Sequence, residues 1–180
     1  MIVSIHTDGS CNNSKKGRLR NIGGYACIVD LPDKSRQILM GGEVQTTSAR
    51  MELAAVMSSL VYINKYHYGK NISLSINTDA EYIANSFNKG WLERWIEEKW
   101  IFTKNADLWK VIVTQLMTNN ILNISVNHVK GHSGIELNEL ADKHAEEARQ
   151  LMQQFHQDKS LKCYNRIDTG KTVIYKYNEL

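Results

Sequence analysis

Near residue 46 the chain changes texture, and that change limits what it can fold into. Before it lie three short apolar runs: residues 2–8 (IVSIHTD), GYACIVDL opened by Gly23-Gly24, and SRQILMGG after the Pro32-Asp33 turn signal. Runs of this length, bounded by Gly, Pro and Asp, read as strands. Their short or medium connections predict an antiparallel meander. After it, Leu53, Val56, Met57, Leu60, Val61 and Ile63 recur at helical spacing from Arg50 to about Tyr66. Thr46, Thr47 and Ser48 offer N-caps for that helix. Residues 71–78 alternate Ile72, Leu74 and Ile76, giving a fourth strand. Residues 80–88 and 92–100 read as short helices, 105–118 as another, 121–127 as a fifth strand and 137–155 as a long helix. The order β-β-β-α-β-α-α-α-β-α predicts an α/β domain with a mixed sheet. A domain over 1–156 is expected, with a C-terminal extension over 157–180 whose TVIYKY reads as a strand or a packed segment.

Composition excludes several classes. With 42% apolar and 23% charged residues the chain is globular. No apolar run approaches the roughly 18–20 residues of a membrane span. The N-terminus MIVSIHTDGS lacks a signal-peptide layout. Cys11, Cys27 and Cys163 are far apart, which argues against a disulfide framework or a thiolate zinc site and for a cytoplasmic setting. The 22 Lys+Arg exceed the 19 Asp+Glu by only three, a mild basicity. Four of those bases, Lys15, Lys16, Arg18 and Arg20, crowd the acid-free loop 9–22.

The acids carry the chemistry. Asp8 closes the first strand and Asp79 the fourth. Sites in open α/β sheets lie at the carboxyl ends of strands, near a change of connectivity. If strands 1 and 4 are parallel neighbours, these aspartates meet. Glu52, in the first turn of the helix between them, and Asp142, near the start of the last helix, both border apolar faces. Four acids at one sheet end repel strongly unless one keeps a proton or a divalent cation sits among them. Oxygen-only donors favour Mg²⁺ or Mn²⁺ over Zn²⁺. Two such ions could activate a water and stabilise the leaving oxygen of a phosphodiester. The plain alternatives are that an aspartate after a strand is a turn residue and that a first-turn glutamate serves the helix dipole.

The motifs HTDGS at 6–10, RMEL at 50–53, NTDAEY at 77–82, NADLW at 105–109 and HVKGHSGIELNELAD at 128–142 occur together in one order and spacing. In this the chain resembles type 1 ribonuclease H over roughly residues 1–150, and DTGKTVIYKY resembles that family's C-terminal segment. The resemblance implies a five-stranded mixed sheet in the order 3-2-1-4-5, flanked by helices. It implies an endonuclease that hydrolyses the RNA strand of RNA–DNA hybrids, leaving 3′-hydroxyl and 5′-phosphate ends, without strong sequence specificity. It places the metal-binding and catalytic acids on Asp8, Glu52, Asp79 and Asp142, two Mg²⁺ ions among them, with Mn²⁺ as a substitute. It places a proton-handling loop histidine on His132 and the pocket for a phosphate of the DNA strand on Thr47 and Asn105. Asn12, Asn13, Ser48, Trp91 and Trp95 fall at or near substrate-contact positions, Trp91, Trp95 and Trp100 marking the basic protrusion called the handle. Some of these rings are expected to fix the handle and at least one to touch DNA sugars. The partner implied is an RNA–DNA hybrid, with no membrane, and a monomer is expected.

The chain departs from the family in the handle. Ile96, Glu97, Glu98 and Lys99 stand where many members carry a basic cluster, and over 91–104 three acids face three bases. Lys15, Lys16 and the rest of their loop, together with the weakly basic tail, are expected to compensate. Ala49 and Glu81 also replace frequent amides. Two other readings stay open: a different nuclease on the same fold, and a hybrid-binding module without catalysis. The second would be expected to have lost an acid, and none is lost.

Overall fold

The computed structural model describes residues 1–12, 21–131, 134–157, 167–168 and 172–177. The elements are β1 (Ile2–Cys11), β2 (Ile22–Asp30), β3 (Arg36–Val44), α1 (Ser48–His67), β4 (Ile72–Thr78), α2 (Glu81–Asn88), α3 (Trp91–Glu97), α4 (Ala106–Thr118), β5 (Ile121–His128), α5 (Glu136–Gln157), β6 (Ile167–Asp168) and β7 (Thr172–Tyr177). The sheet runs β5-β4-β1-β2-β3-β7-β6, so its first five members have the expected 3-2-1-4-5 order. The meander β1-β2-β3 is antiparallel. β4 joins β1 in parallel, and β5 joins β4 in parallel. β7 pairs antiparallel with β3 from Ile38↔Tyr177 to Glu43↔Thr172, which makes TVIYKY a strand of the sheet.

One core lies between the sheet and α1. Leu53, Val56, Leu60 and Ile63 of α1 are buried against Val3, Ile5, Ile72 and Ile76. Each such side chain contributes about 1.5–3 kcal/mol by leaving water. The opposite face carries α5, whose Ala141, Ala145 and Ala148 meet Ala26, Ile28, Ile38 and Met40. α5 packs on β1, β2 and β3. On β4 and β5 the same face is polar: Asn127 donates to Ser75 Oγ and to Asn77 Oδ1, each at 3.1 Å. This explains why β4 alternates apolar and polar residues, whereas parallel strands covered on both faces read as continuous apolar runs.

Three boundaries differ from the sequence expectation. β1 continues to Cys11, so Asp8 does not end it; the parallel pairing with β4 stops at Thr7↔Thr78, and beyond it β1 pairs with β2 alone. α1 starts at Ser48, which puts Glu52 in its second turn. α3 stops at Glu97 instead of reaching 100, because Lys99 (φ 53°) and Trp100 (φ 66°) turn left-handed and the Trp100 N–H bonds the Trp95 carbonyl at 2.8 Å.

Candidate active site

Asp8 projects where β1 has just lost β4 as a neighbour, and Asp79 follows the last residue of β4. Thr47 caps α1, its hydroxyl accepting from the Arg50 N–H at 3.3 Å, and the helix then brings Glu52 against β1. That approach needs a glycine: a Cβ on Gly9 would lie 2.4 Å from the Glu52 backbone nitrogen. Carboxylate oxygens of Asp8, Glu52 and Asp79 all lie within 4.8 Å of one another. Asp142, in the second turn of α5, bonds Asp8 through its side chain. On the far side Gly131 faces Asp79, and a Cβ there would come within 3.0 Å of Oδ2. His128 at the end of β5 bonds the Asp79 carbonyl at 3.1 Å.

Crowding sets the electrostatics. Burial first, then the charges of Asp79 and Asp142, push the Asp8 carboxyl up to about 7. Burial, Asp8 and Asp79 raise the Glu52 carboxyl well above the ordinary range. Glu52 Oε2 is buried and has no hydrogen-bond partner among the described residues. An orphaned carboxylate oxygen beside two more carboxylates is a costly arrangement unless a cation completes it. Hard oxygen donors alone fit a divalent ion of the magnesium type.

A model of the RNase H family matches residues 1–150. The chain belongs to the RNase H family. A ribonuclease H of Syntrophomonas wolfei is 34% identical over 151 residues, covering 81% of this chain and 94% of its own length. One from Bartonella quintana is 36% identical over 154 residues, covering 82% and 88%. Among solved structures, LC9-RNase H1, described as a type 1 RNase H with the type 2 active-site motif, superposes with a TM-score of 0.68. It is 25% identical, and the match covers 84% of this chain and 73% of that one. As an RNase H family member the chain is an endoribonuclease, a phosphodiester hydrolase. The matched residues end before β6 and β7.

Around the acids, a clasp that the sequence analysis missed ties the RNase H elements together. Arg50, buried in α1, donates from Nε to Glu43 Oε2 of β3 at 2.7 Å, and from Nη1 and Nη2 to both oxygens of Asp107 in α4 at 2.9 and 2.6 Å. Thr46 Oγ1 also donates to Glu43 Oε2 at 2.9 Å. Asp107 and Glu43 hold the Arg50 guanidinium firmly charged. The clasp joins the N-terminus of α1 to that of α4, and with them Thr47 and Asn105. Its signal was the Arg of RMEL standing where a helix stripe calls for an apolar residue. Asn105, at the N-cap of α4, is left-handed (φ 54°), and its side chain makes no cap hydrogen bond. Its carbonyl instead accepts from Leu108 and Trp109 at 3.0 and 3.2 Å.

The remaining candidates scatter. Asn12 Oδ1 accepts from the Ile22 N–H at 3.1 Å, which ties β1 to β2. Ser48 opens α1, and the carbonyl of its neighbour Ala49 accepts from the Tyr82 hydroxyl. Trp91, Trp95 and Trp109 form an aromatic row with centroids 6.3 and 5.5 Å apart. Trp95 and Trp100 pack on the core, so these two rings fix the handle. Asn13, Lys15, Lys16 and His132 lie outside the described residues, as do Arg18 and Arg20.

Proposed function

We propose that the chain hydrolyses the RNA strand of RNA–DNA hybrids endonucleolytically, with two Mg²⁺ ions, leaving 3′-hydroxyl and 5′-phosphate ends. The observation that carries this reading is the Asp8–Glu52–Asp79 cluster, with its orphaned Glu52 oxygen, at the carboxyl end of the parallel pair in an RNase H family chain. Asp8, Glu52, Asp79 and Asp142 would hold the ions, which would supply a nucleophilic water and charge to offset the leaving oxygen. Each acid would have to be ionised to hold an ion, so a bound ion would favour ionised Asp8 against the upward push of burial and Asp79. Gly131 keeps the space beside Asp79 open. His132 handles protons near neutrality, where an imidazole titrates. Thr47 and Asn105 hold a phosphate of the DNA strand, the Asn105 side chain making no cap hydrogen bond. Asn12, Asn13 and Ser48 contact the hybrid, and Lys15 and Lys16 attract its backbone. Selection rests on helix shape and the 2′-hydroxyl rather than base edges, so sequence specificity is weak. Residues 1–156 form the catalytic domain and 157–180 an extension packed on it, in a monomeric cytoplasmic enzyme. Among the described residues no helix is long and apolar enough to cross a membrane.

Labelled RNA–DNA hybrid, RNA duplex and DNA duplex, each with Mg²⁺ and with Mn²⁺, test the reading on one gel. Cleavage of the RNA strand of the hybrid alone is expected. Comparable cutting of duplex DNA would instead mark another nuclease of this fold, and tight hybrid binding without cleavage in either metal a binding module.

A further inference from the structure

Asp142 reaches the other acids from a different layer of the fold. Carboxylate oxygens of Asp8, Glu52 and Asp79 converge within 4.8 Å of one another, and Asp142 joins them from α5 through its bond to Asp8. Two carboxyl groups bond each other only while one keeps a proton. Once both ionise they repel, and the helix that carries Asp142 is pushed from the strand that carries Asp8. The alanine stripe of α5 is seated on β2 and β3. The outer flank of Asp142 is open, a cavity of about 470 Å³ running along Asp142, Lys143, Glu146, Glu147 and Gln150. Toward β1 the contact is polar: the Ser10 hydroxyl donates to Glu146 Oε2 at 2.7 Å.

The placing of that bond is what matters. Ser10 lies two residues beyond Asp8, on the same face of β1. Glu146 lies one turn beyond Asp142, on the same face of α5. Asp8–Asp142 and Ser10–Glu146 are therefore successive rungs between one strand and one helix. Glu146 is itself pinned: Oε2 accepts from Arg149 Nε at 2.8 Å, and Oε1 from Arg149 Nη2 and from Gln150 Nε2, the last at 2.9 Å. The close approach needs a glycine at 24, the residue paired with Ser10 on β2. A Cβ there would overlap the Arg149 backbone nitrogen and lie 2.5 Å from the Ala145 carbonyl oxygen. A glutamate and an arginine three apart on a helix are by themselves a surface pair of little consequence. Ser10, 136 residues away along the chain, makes this one a tie between two elements.

Resting on the hydrolase reading above, we infer that Glu146 is a positioning residue: with Ser10 and Arg149 it braces α5 against β1, and so holds Asp142 beside Asp8 when both are ionised around a divalent ion. Glu146 acts through Asp142 and leaves the placing of Asp8, Glu52 and Asp79 to the sheet and α1. Removing the support of a metal ligand weakens the ion's binding even where the ligand itself stays.

Calorimetric titration of Mn²⁺ into the metal-free chain tests this. Ser10→Ala and Glu146→Ala are each expected to weaken Mn²⁺ binding about tenfold, and Ser10→Thr, which keeps the hydroxyl, to retain it. Ser10→Ala alters no charge, so its effect is separate from any distant attraction between Glu146 and the ion. If Glu146→Ala does not fold, Ser10→Ala against Ser10→Thr decides alone. In an Asp142→Asn background Ser10→Ala is expected to change nothing further, because the two act on one rung. A lower melting temperature of Ser10→Ala with unchanged Mn²⁺ affinity would make the tie merely structural and overturn the inference. A loss confined to Glu146→Ala, or a further loss in the Asp142→Asn background, would overturn it too, as would an unaltered chain that binds no Mn²⁺. Failure of a Mn²⁺-binding chain to cut hybrid would defeat the hydrolase reading, and the brace would still be judged by the same affinities.

Discussion

The carboxylate cluster and the handle solve opposite problems. At the cluster, like charges are forced together by buried backbone. Gly9 lets α1 press on β1, and two of the three acids, Asp8 and Glu52, are buried. At the handle, charge is balanced and apolar side chains stand in water. The first arrangement is destabilising on its own and demands a cation. The second carries no such repulsion. Electrostatic strain is thus concentrated at the carboxylates, while the handle is balanced in charge.

The largest effect should come from breaking the cluster. Asp8→Asn or Asp79→Asn should lower cleavage at least about a thousandfold, some 4 kcal/mol of barrier, with an unchanged circular dichroism spectrum. Full activity of either variant in Mg²⁺ would contradict the site. Next comes the clasp that joins the two regions. Arg50→Ala leaves Glu43 buried with only the Thr46 hydroxyl, and should cost about 3 kcal/mol in urea denaturation. A loss below 1 kcal/mol would show that the regions are not held through Arg50.

A third effect has the opposite sign. With chelator present, Asp8→Asn should stabilise the fold by on the order of 2 kcal/mol at pH 8. The folded Asp8 carboxyl sits near 7, above its ordinary 3.8, so the folded state binds the proton more tightly than the unfolded one. Stability from this group is present below about pH 4 and is lost as pH rises through 7. The melting temperature of the metal-free protein should therefore fall between pH 5 and pH 8, and the fall should shrink in Asp8→Asn. Equal falls in both proteins would refute the crowding. The smallest effect belongs to the handle's charges. Glu97→Lys with Glu98→Lys should lower KM about threefold at low salt and by nothing measurable at high salt.

Much of this was legible in the sequence because local pattern and global fold agree. The alternation of Ile72, Leu74 and Ile76 announced β4, and the helical stripe from Leu53 to Ile63 announced α1. The acids were legible because Asp8 closes an apolar run, Asp79 directly follows β4, and Glu52 and Asp142 border apolar helix faces. The chain could not show where β1 ends, since that depends on which neighbour it loses, a property of the sheet. Nor could it show the early stop of α3: Lys99 and Trp100 have no intrinsic preference for left-handed backbone, and tertiary packing of Trp100 imposes it. The clasp stayed hidden because Glu43 and Asp107 are far apart in the chain and meet only through Arg50. The exposure of Phe102 in the handle stayed hidden because phenylalanine ordinarily signals a core.

The pairing of β7 with β3 bears on how the molecule is made. The strand that covers β3 follows all five helices in the chain, whereas β3 precedes them. Until β7 is made, the meander presents a bare row of peptide groups along β3, the kind of edge on which another nascent chain can add a strand. The closing strand turns a vulnerable border into an interior one. A chain shortened before Thr172 should consequently precipitate more readily during expression, even where its carboxylates still assemble.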